Sequence, residues 1–177
     1  MSFLSNVYKQ VSELIPKNSK VIDIGCGKAY FLRGLSAKIN YGLGIDINKR
    51  KINFANKRKS DNLKFKVINS KDLNLKEKFD IAISMFMIHS LDYSSQIKTL
   101  KNMSKIADKI IIIDYVWPKN IFYKILISID EILAGHYKNF KEYKKTGMEK
   151  LISDSELKLK QKINGVNDMY KIWVCEK

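Results

Sequence analysis

A few side chains in this sequence have the type and the spacing to do chemistry. Asp23 lies inside an apolar stretch and is followed at once by two glycines, in VIDIGCGK (21–28). At Gly25 and Gly27 a ligand can approach bare backbone N–H groups, because no side chain intervenes and a positive φ is open to glycine. Asp46 closes a second apolar stretch, YGLGID (41–46), nineteen residues after Gly27. An acid at that distance can accept hydrogen bonds from both hydroxyls of a ribose. A dinucleotide site wants a third glycine, in G-x-G-x-x-G, and Tyr30 holds that place. Asp23 would repel a pyrophosphate and attract a cation. The group therefore suits a ligand with a ribose and a positive amino group or sulfonium better than it suits NAD.

Two histidines stand elsewhere. His89 follows FDIAISMFMI (79–88). An imidazole there can take a proton from an attacking hydroxyl or amine, or cap the next helix, or line a pocket. His136 and Tyr137 open GHYKNFKEY (135–143). That segment reads either as a lid, with Tyr137, Phe140 and Tyr143 facing a substrate, or as a helix-packing stripe. Two histidines without carboxylates at ligand spacing make no metal site.

The elements that must position these groups alternate. Apolar spacing predicts a helix over 3–15, stopped near Pro16. Strands are expected at 20–24, 41–46, 63–69, 79–88 and 109–117, with helices at 28–39, 48–58 and 94–107 between them. Such alternation implies βαβ units and a mostly parallel sheet. The run 79–88 is nearly all apolar, as a strand covered on both faces should be. Two final strands, 157–165 and 168–177, have only VN (166–167) between them, too little for a crossover helix and enough for a hairpin. The expected fold is α/β: a Rossmann-like doubly wound sheet with helices on both faces, five parallel strands and a C-terminal antiparallel pair. One domain, 1–177, carries an aromatic, basic insertion at 119–147 with a helix over about 120–134. An insertion after a strand's carboxyl end lies where open α/β sheets place their ligands. Tyr115 and Trp117 end the fifth strand on that side and are candidates to line an acceptor pocket.

Composition bounds the reading. A 45% hydrophobic fraction supports a real core, and no run of 18 apolar residues suggests a membrane span. The first residues carry no signal-peptide pattern, so a cytoplasmic protein with no membrane partner is expected. Cys26 and Cys175 are too few for a disulfide framework and read as reduced, structural residues. The net charge of +15 comes from 33 basic and 18 acidic residues, but only Arg33, Arg50 and Arg58 are arginines. Lysine is the weaker group for bidentate phosphate recognition, so solvated lysine is favoured over a dedicated polyanion site.

At these motifs the chain resembles the class I S-adenosylmethionine-dependent methyltransferases, over nearly its whole length. VIDIGCGKAYFL resembles the family's first motif, GIDIN its second-strand acidic motif, and FDIAISMFMIHSLD its fourth-strand motif. KIIIIDYVWP occupies the fifth-strand position. The resemblance implies S-adenosyl-L-methionine as cofactor. Asp23 would lie near its amino group, Gly25, Cys26 and Gly27 along its methionine moiety, Asp46 on the ribose and Ile47 on the adenine. The family often has an acid after the third strand, and Asn69 stands there. Its oxygen can still accept from the adenine amino group, with the Ser70 N–H on ring N1 and Asp72 one turn further on. Ser84 and Met85 would lie beside the cofactor. The family often has a third glycine where this chain has Ala29, a residue small enough to be tolerated. The fourth-strand segment reads SMFM (84–87), not an N-P-P-Y-type tetrad, which disfavours methylation of nucleobase or glutamine amino groups. The implied reaction is in-line methyl transfer to a small-molecule acceptor, with His89 as candidate base and His136, Tyr137, Tyr115 and Trp117 as candidate substrate contacts. An RNA acceptor, favoured by charge and by lysines among aromatics, and a non-catalytic cofactor-binding subunit are the alternatives.

Overall fold

A computed structural model describes residues 3–177. The chain runs α1 (Phe3–Glu13), β1 (Lys20–Ile24), α2 (Tyr30–Gly34), β2 (Tyr41–Asp46), α3 (Lys49–Asn56), β3 (Leu63–Val67), β4 (Phe79–Met85), α4 (Tyr93–Ile106), β5 (Ala107–Tyr115), α5 (Ile121–Leu133), α6 (Tyr137–Thr146), α7 (Met148–Asp154), β6 (Lys158–Asn164) and β7 (Tyr170–Glu176). The seven strands form one sheet in the order β3-β2-β1-β4-β5-β7-β6. The first five are parallel, while β7 lies antiparallel between β5 and β6. The expected architecture is therefore present, closing hairpin included.

Strand alternation divides the core in two. On β5, Ile110 and Ile112 face a cluster with Leu100 and Met103 of α4 and Leu151 of α7. Ile111 and Ile113 face the other way, toward Val7 and Val11 of α1 and Ile52 of α3. Four consecutive isoleucines can only be this well buried where both faces are covered. Strand order reverses between β1 and β4, and there the carboxyl ends open the crevice in which doubly wound sheets hold ligands.

Side-chain caps set several boundaries. Asn48 accepts from Arg50 N and Lys51 N to start α3, Asp92 from Ser95 N to start α4, and Asn120 from Phe122 N to start α5. The helix expected over 28–39 is shorter than expected. α2 ends at Gly34 and turns carry the chain on to Ile39, though Phe31, Leu32, Leu35 and Ile39 are all buried as the spacing implied. β4 stops at Met85, short of residue 88, because Phe86 takes φ +49, outside strand geometry. Residues 119–147 hold α5 and α6. Phe140 and Tyr143 are buried in the core, so they pack the helix and do not face a substrate.

Candidate functional site

The turn after β1 is built as its glycines suggest. Gly25 has φ +78, and a Cβ there would stand 2.6 Å from Met87 Cγ. Both the backbone conformation and the close approach require glycine. Gly25 N and Cys26 N donate to Ile45 O at 2.8 and 2.9 Å, tying this turn to the end of β2. Gly27 N donates to Asp46 Oδ2 at 2.9 Å and Asn48 N to Asp46 Oδ1 at 2.7 Å. Two N–H donors thus fix the Asp46 carboxylate at the rim, with lone pairs left over. Ala29 is buried at φ +56, a left-handed position that favours glycine. Size alone does not describe what that alanine tolerates.

Asp23 is buried at the floor. Loss of solvent, then the nearby Asp46 charge, push its carboxyl up to about 7. Burial likewise pushes the Cys26 thiol far up, with Asp23 and Asp46 adding to it, so this cysteine stays a neutral thiol.

Two cavities meet at Gly25, Lys51 and Phe86. The smaller, about 270 Å³, is lined by Asp23, Gly25, Cys26, Gly27, Tyr30 and Met85 among others. The larger, about 490 Å³, is lined by Asp46, Ile47, Asn69, Ser70, Ser90 and His136 among others. Together they form a trough over the carboxyl ends of β1, β2 and β4. Ile47 is 68% exposed beside Asp46, an apolar surface next to an acceptor. Asn69 caps a short 3-10 turn, accepting from Lys71 N at 3.3 Å, and Ser70 Oγ shares a hydrogen bond with Thr99 Oγ1. Asp72 turns away to pair with Lys98 at 3.9 Å. Phe86, at the join, holds its positive φ within contact of Phe3, Tyr115 and Tyr170. A bulky residue in that conformation is strained and persists because its surroundings fix it.

The structure brings most of the expected cofactor residues, and His136, to this trough but not the other candidates. His89 is buried. Its Nδ1 lies 2.5 Å from Asp114 Oδ1 and its Nε2 lies 3.1 Å from Glu131 Oε1. Desolvation alone would lower its pKa, but the Asp114 charge and hydrogen bonds to Asp114 and Glu131 override it and raise the pKa to about 10. An imidazolium donating from both nitrogens has no lone pair for an incoming proton. The expected general base is therefore a buried ionic clamp between β5 and α5. Ser84 is wholly buried within β4, away from the trough that Met85 lines, and its hydroxyl finds no partner among the described residues. Tyr115 and Trp117 line a separate hollow of about 110 Å³ against Phe140, Tyr143 and Trp173. Trp117 carries the Lys144 ammonium 3.6 Å from its ring centroid. Of the insertion's candidates, His136 lines the larger cavity and Tyr137 does not.

Sequence reasoning missed Lys51, Phe86, Met87 and Asn139, which line the trough. Asn139 had a usable signal. It stands three residues after His136, on the same helical face, and its Nδ2 donates to Ser90 O at 2.7 Å.

Against known proteins, a family model described as a methyltransferase domain matches residues 15–175. The chain belongs to the methyltransferase domain family. Protein 235L of Invertebrate iridescent virus 6, named as a candidate methyltransferase, is 30% identical over 109 residues, which is 60% of this chain and 41% of that protein. The chain thus spans less than half the length of this relative. The magnesium protoporphyrin IX methyltransferase of Synechocystis PCC 6803, solved with bound SAH, superposes with a TM-score of 0.72 at 14% identity, covering 97% of this chain and 82% of that one. The N-methyltransferase NodS of Bradyrhizobium japonicum WM9 in complex with S-adenosyl-L-homocysteine gives 0.74 at 14% identity, covering 99% and 87%. The chain thus has the Rossmann-like fold of these two solved methyltransferases, both of which hold S-adenosyl-L-homocysteine.

Proposed function

We propose that this methyltransferase transfers a methyl group from S-adenosyl-L-methionine to a small-molecule acceptor. The observation that carries the reading is the trough itself. It offers a buried acid beside bare backbone at one end, and a fixed carboxylate next to an exposed isoleucine at the other.

The residues fit the cofactor. Asp23, with Gly25, Cys26, Gly27 and Met85, would hold the charged methionine end. Asp46 would accept from the ribose hydroxyls, while Ile47, Asn69 and Ser70 would receive the adenine. When bound, the cofactor supplies a methyl group on a positive sulfur, an intrinsically good electrophile. The chain then has to exclude water and align the acceptor, with reacting atoms about 3 Å apart. Phe86 and Met87 form an apolar wall at the join of the two cavities. His136 and Asn139, where α5 gives way to α6, bound the far side of the larger one. We place the acceptor between them, with this turn of the 119–147 insertion acting as its cover. No base is assigned at His89, so the acceptor would need a nucleophile that is already deprotonated or readily becomes so.

The cavity is bounded and its cover is short, which favours a small acceptor over RNA. The test uses tritiated S-adenosyl-L-methionine with a cell extract divided into small molecules and RNA. Label in the small-molecule fraction supports the reading. Label in RNA alone replaces the acceptor. Cofactor binding with no label transferred anywhere makes the chain a cofactor-binding subunit.

A further inference from the structure

α5 is amphipathic the wrong way round for a helix packed only on its own domain. Of its residues, only Ile127 and Glu131 are buried. Ile121, Phe122, Ile125, Leu126, Ile129 and Ile132 are all exposed, and Ile121 keeps 69% of its surface open. At 100° per residue these side chains fill one arc of about 140°, on the side away from Ile127 and Glu131. Contiguous apolar surface of this kind marks an interaction site.

We infer that the outer face of α5 seats on the surface of an anionic lipid bilayer. Charge complementarity selects that occupant. The protein carries a net +15. Within 119–147 there are six lysines and three carboxylates, and one of the three, Glu131, is spent on His89 inside the protein. Lys119, Lys138, Lys141 and Lys145 are exposed around the two helices, while Asp130 lies at the border of the arc. Trp117, 43% exposed just before α5, is the residue type that sits at headgroup depth. An exposed apolar arc, with a half-exposed tryptophan before the helix and exposed lysines on the flanking segment and the next helix, is the pattern of a helix lying in the bilayer interface. A second copy of the chain also carries a net +15 over its whole length and is disfavoured by repulsion between the two basic proteins. RNA would need stacking rings, and this arc is mostly branched aliphatic. Among the described residues no helix is long and apolar enough to cross a membrane, and a surface seat requires none. His136, three residues beyond α5, lines the larger cavity. A bilayer on this face would therefore lie near the cavity's covered end.

The experiment is co-sedimentation of the full chain with vesicles of phosphatidylcholine alone and of phosphatidylcholine mixed with phosphatidylglycerol. It is repeated on the Ile125→Asp, Ile129→Asp double variant. Both substitutions are on exposed positions, and melting temperature and cofactor titration confirm that the variant is folded. The wild type should pellet with the mixed vesicles, less so as salt rises. The double variant should bind them on the order of 100-fold more weakly. Independently of any variant, tryptophan emission should shift to the blue when mixed vesicles are added to the wild type, because Trp117 is the exposed one of the two tryptophans and Trp173 is already buried. Failure to pellet and no emission shift would overturn the inference. So would a wild-type dimer that the double variant converts to monomer, because a second copy would then cover the face.

Discussion

His89→Ala should unfold this protein more readily, not merely slow it. His89 is 3% exposed and lies between Asp114 and Glu131, themselves 0% and 3% exposed. Removing the imidazolium leaves two buried carboxylates. Asp114 keeps partners, since it accepts from residue 89 N at 3.1 Å and from Tyr115 N at 2.8 Å. Glu131 does not, because Oε2 has no partner among the described residues and Oε1 would lose its own. Breaking a buried pair from one side costs about 3–5 kcal/mol, a large share of a typical stability of about 5–15 kcal/mol. For a chain of this size that lowers Tm by roughly 6–20 °C. Pairing the change with Glu131→Leu removes the stranded charge and should recover much of the loss. Circular dichroism melts and urea titrations of both variants give the numbers. The pH dependence has a definite sign. The histidine's pKa is raised from 6.5 to about 10, so the stabilisation is complete below about pH 6.5 and is lost as pH rises through about 10. A His89→Ala protein that melts within about 2 °C of the wild type yet loses turnover would refute the clamp and return the residue to catalysis.

Three further outcomes follow from the site. Gly25→Ala should lower cofactor affinity about tenfold or more and cost about 1–3 kcal/mol of stability, since its Cβ meets Met87 at φ +78; titration calorimetry and melts measure the two effects. Cofactor affinity should rise with pH through about 7, because a positive ligand prefers Asp23 as the carboxylate and must displace its proton. Asp23→Asn should flatten that profile in titrations run below and above pH 7. Ser84→Ala should leave cofactor affinity unchanged and raise stability by up to about 1 kcal/mol, as it removes a buried hydroxyl with no partner; a lower Tm would show that the hydroxyl is bonded.

The strands and the glycine turn were legible because their signals are local. Four isoleucines before Asp114 and the spacing from Gly27 to Asp46 need no knowledge of distant chain. The sequence left His89 open between base, cap and pocket lining because its partners are remote: Asp114 is 25 residues on and Glu131 42. No local pattern announces a buried ion pair of that kind. α5 shows a different limit. Its sequence, IFYKILISIDEIL, is apolar on most sides, so periodicity locates the helix without revealing which arc is buried. β5 ends at Tyr115, so Trp117 lies two residues beyond the strand expected to hold it, and the side toward which each ring leans depends on α6 and on Trp173.

We place Asp23, the glycine turn and Asp46 in one cofactor site. Calorimetric titration with S-adenosyl-L-methionine, S-adenosyl-L-homocysteine and NAD, on the wild type and on Asp46→Ala, tests that placement most directly. Asp46 also holds Gly27 N and Asn48 N, so a melt of each protein accompanies the titration. Both sulfur ligands should bind and NAD should not, and that binding should be lost in a variant that remains folded. Binding of NAD, or sulfur-ligand affinity untouched in the folded variant, would contradict the placement.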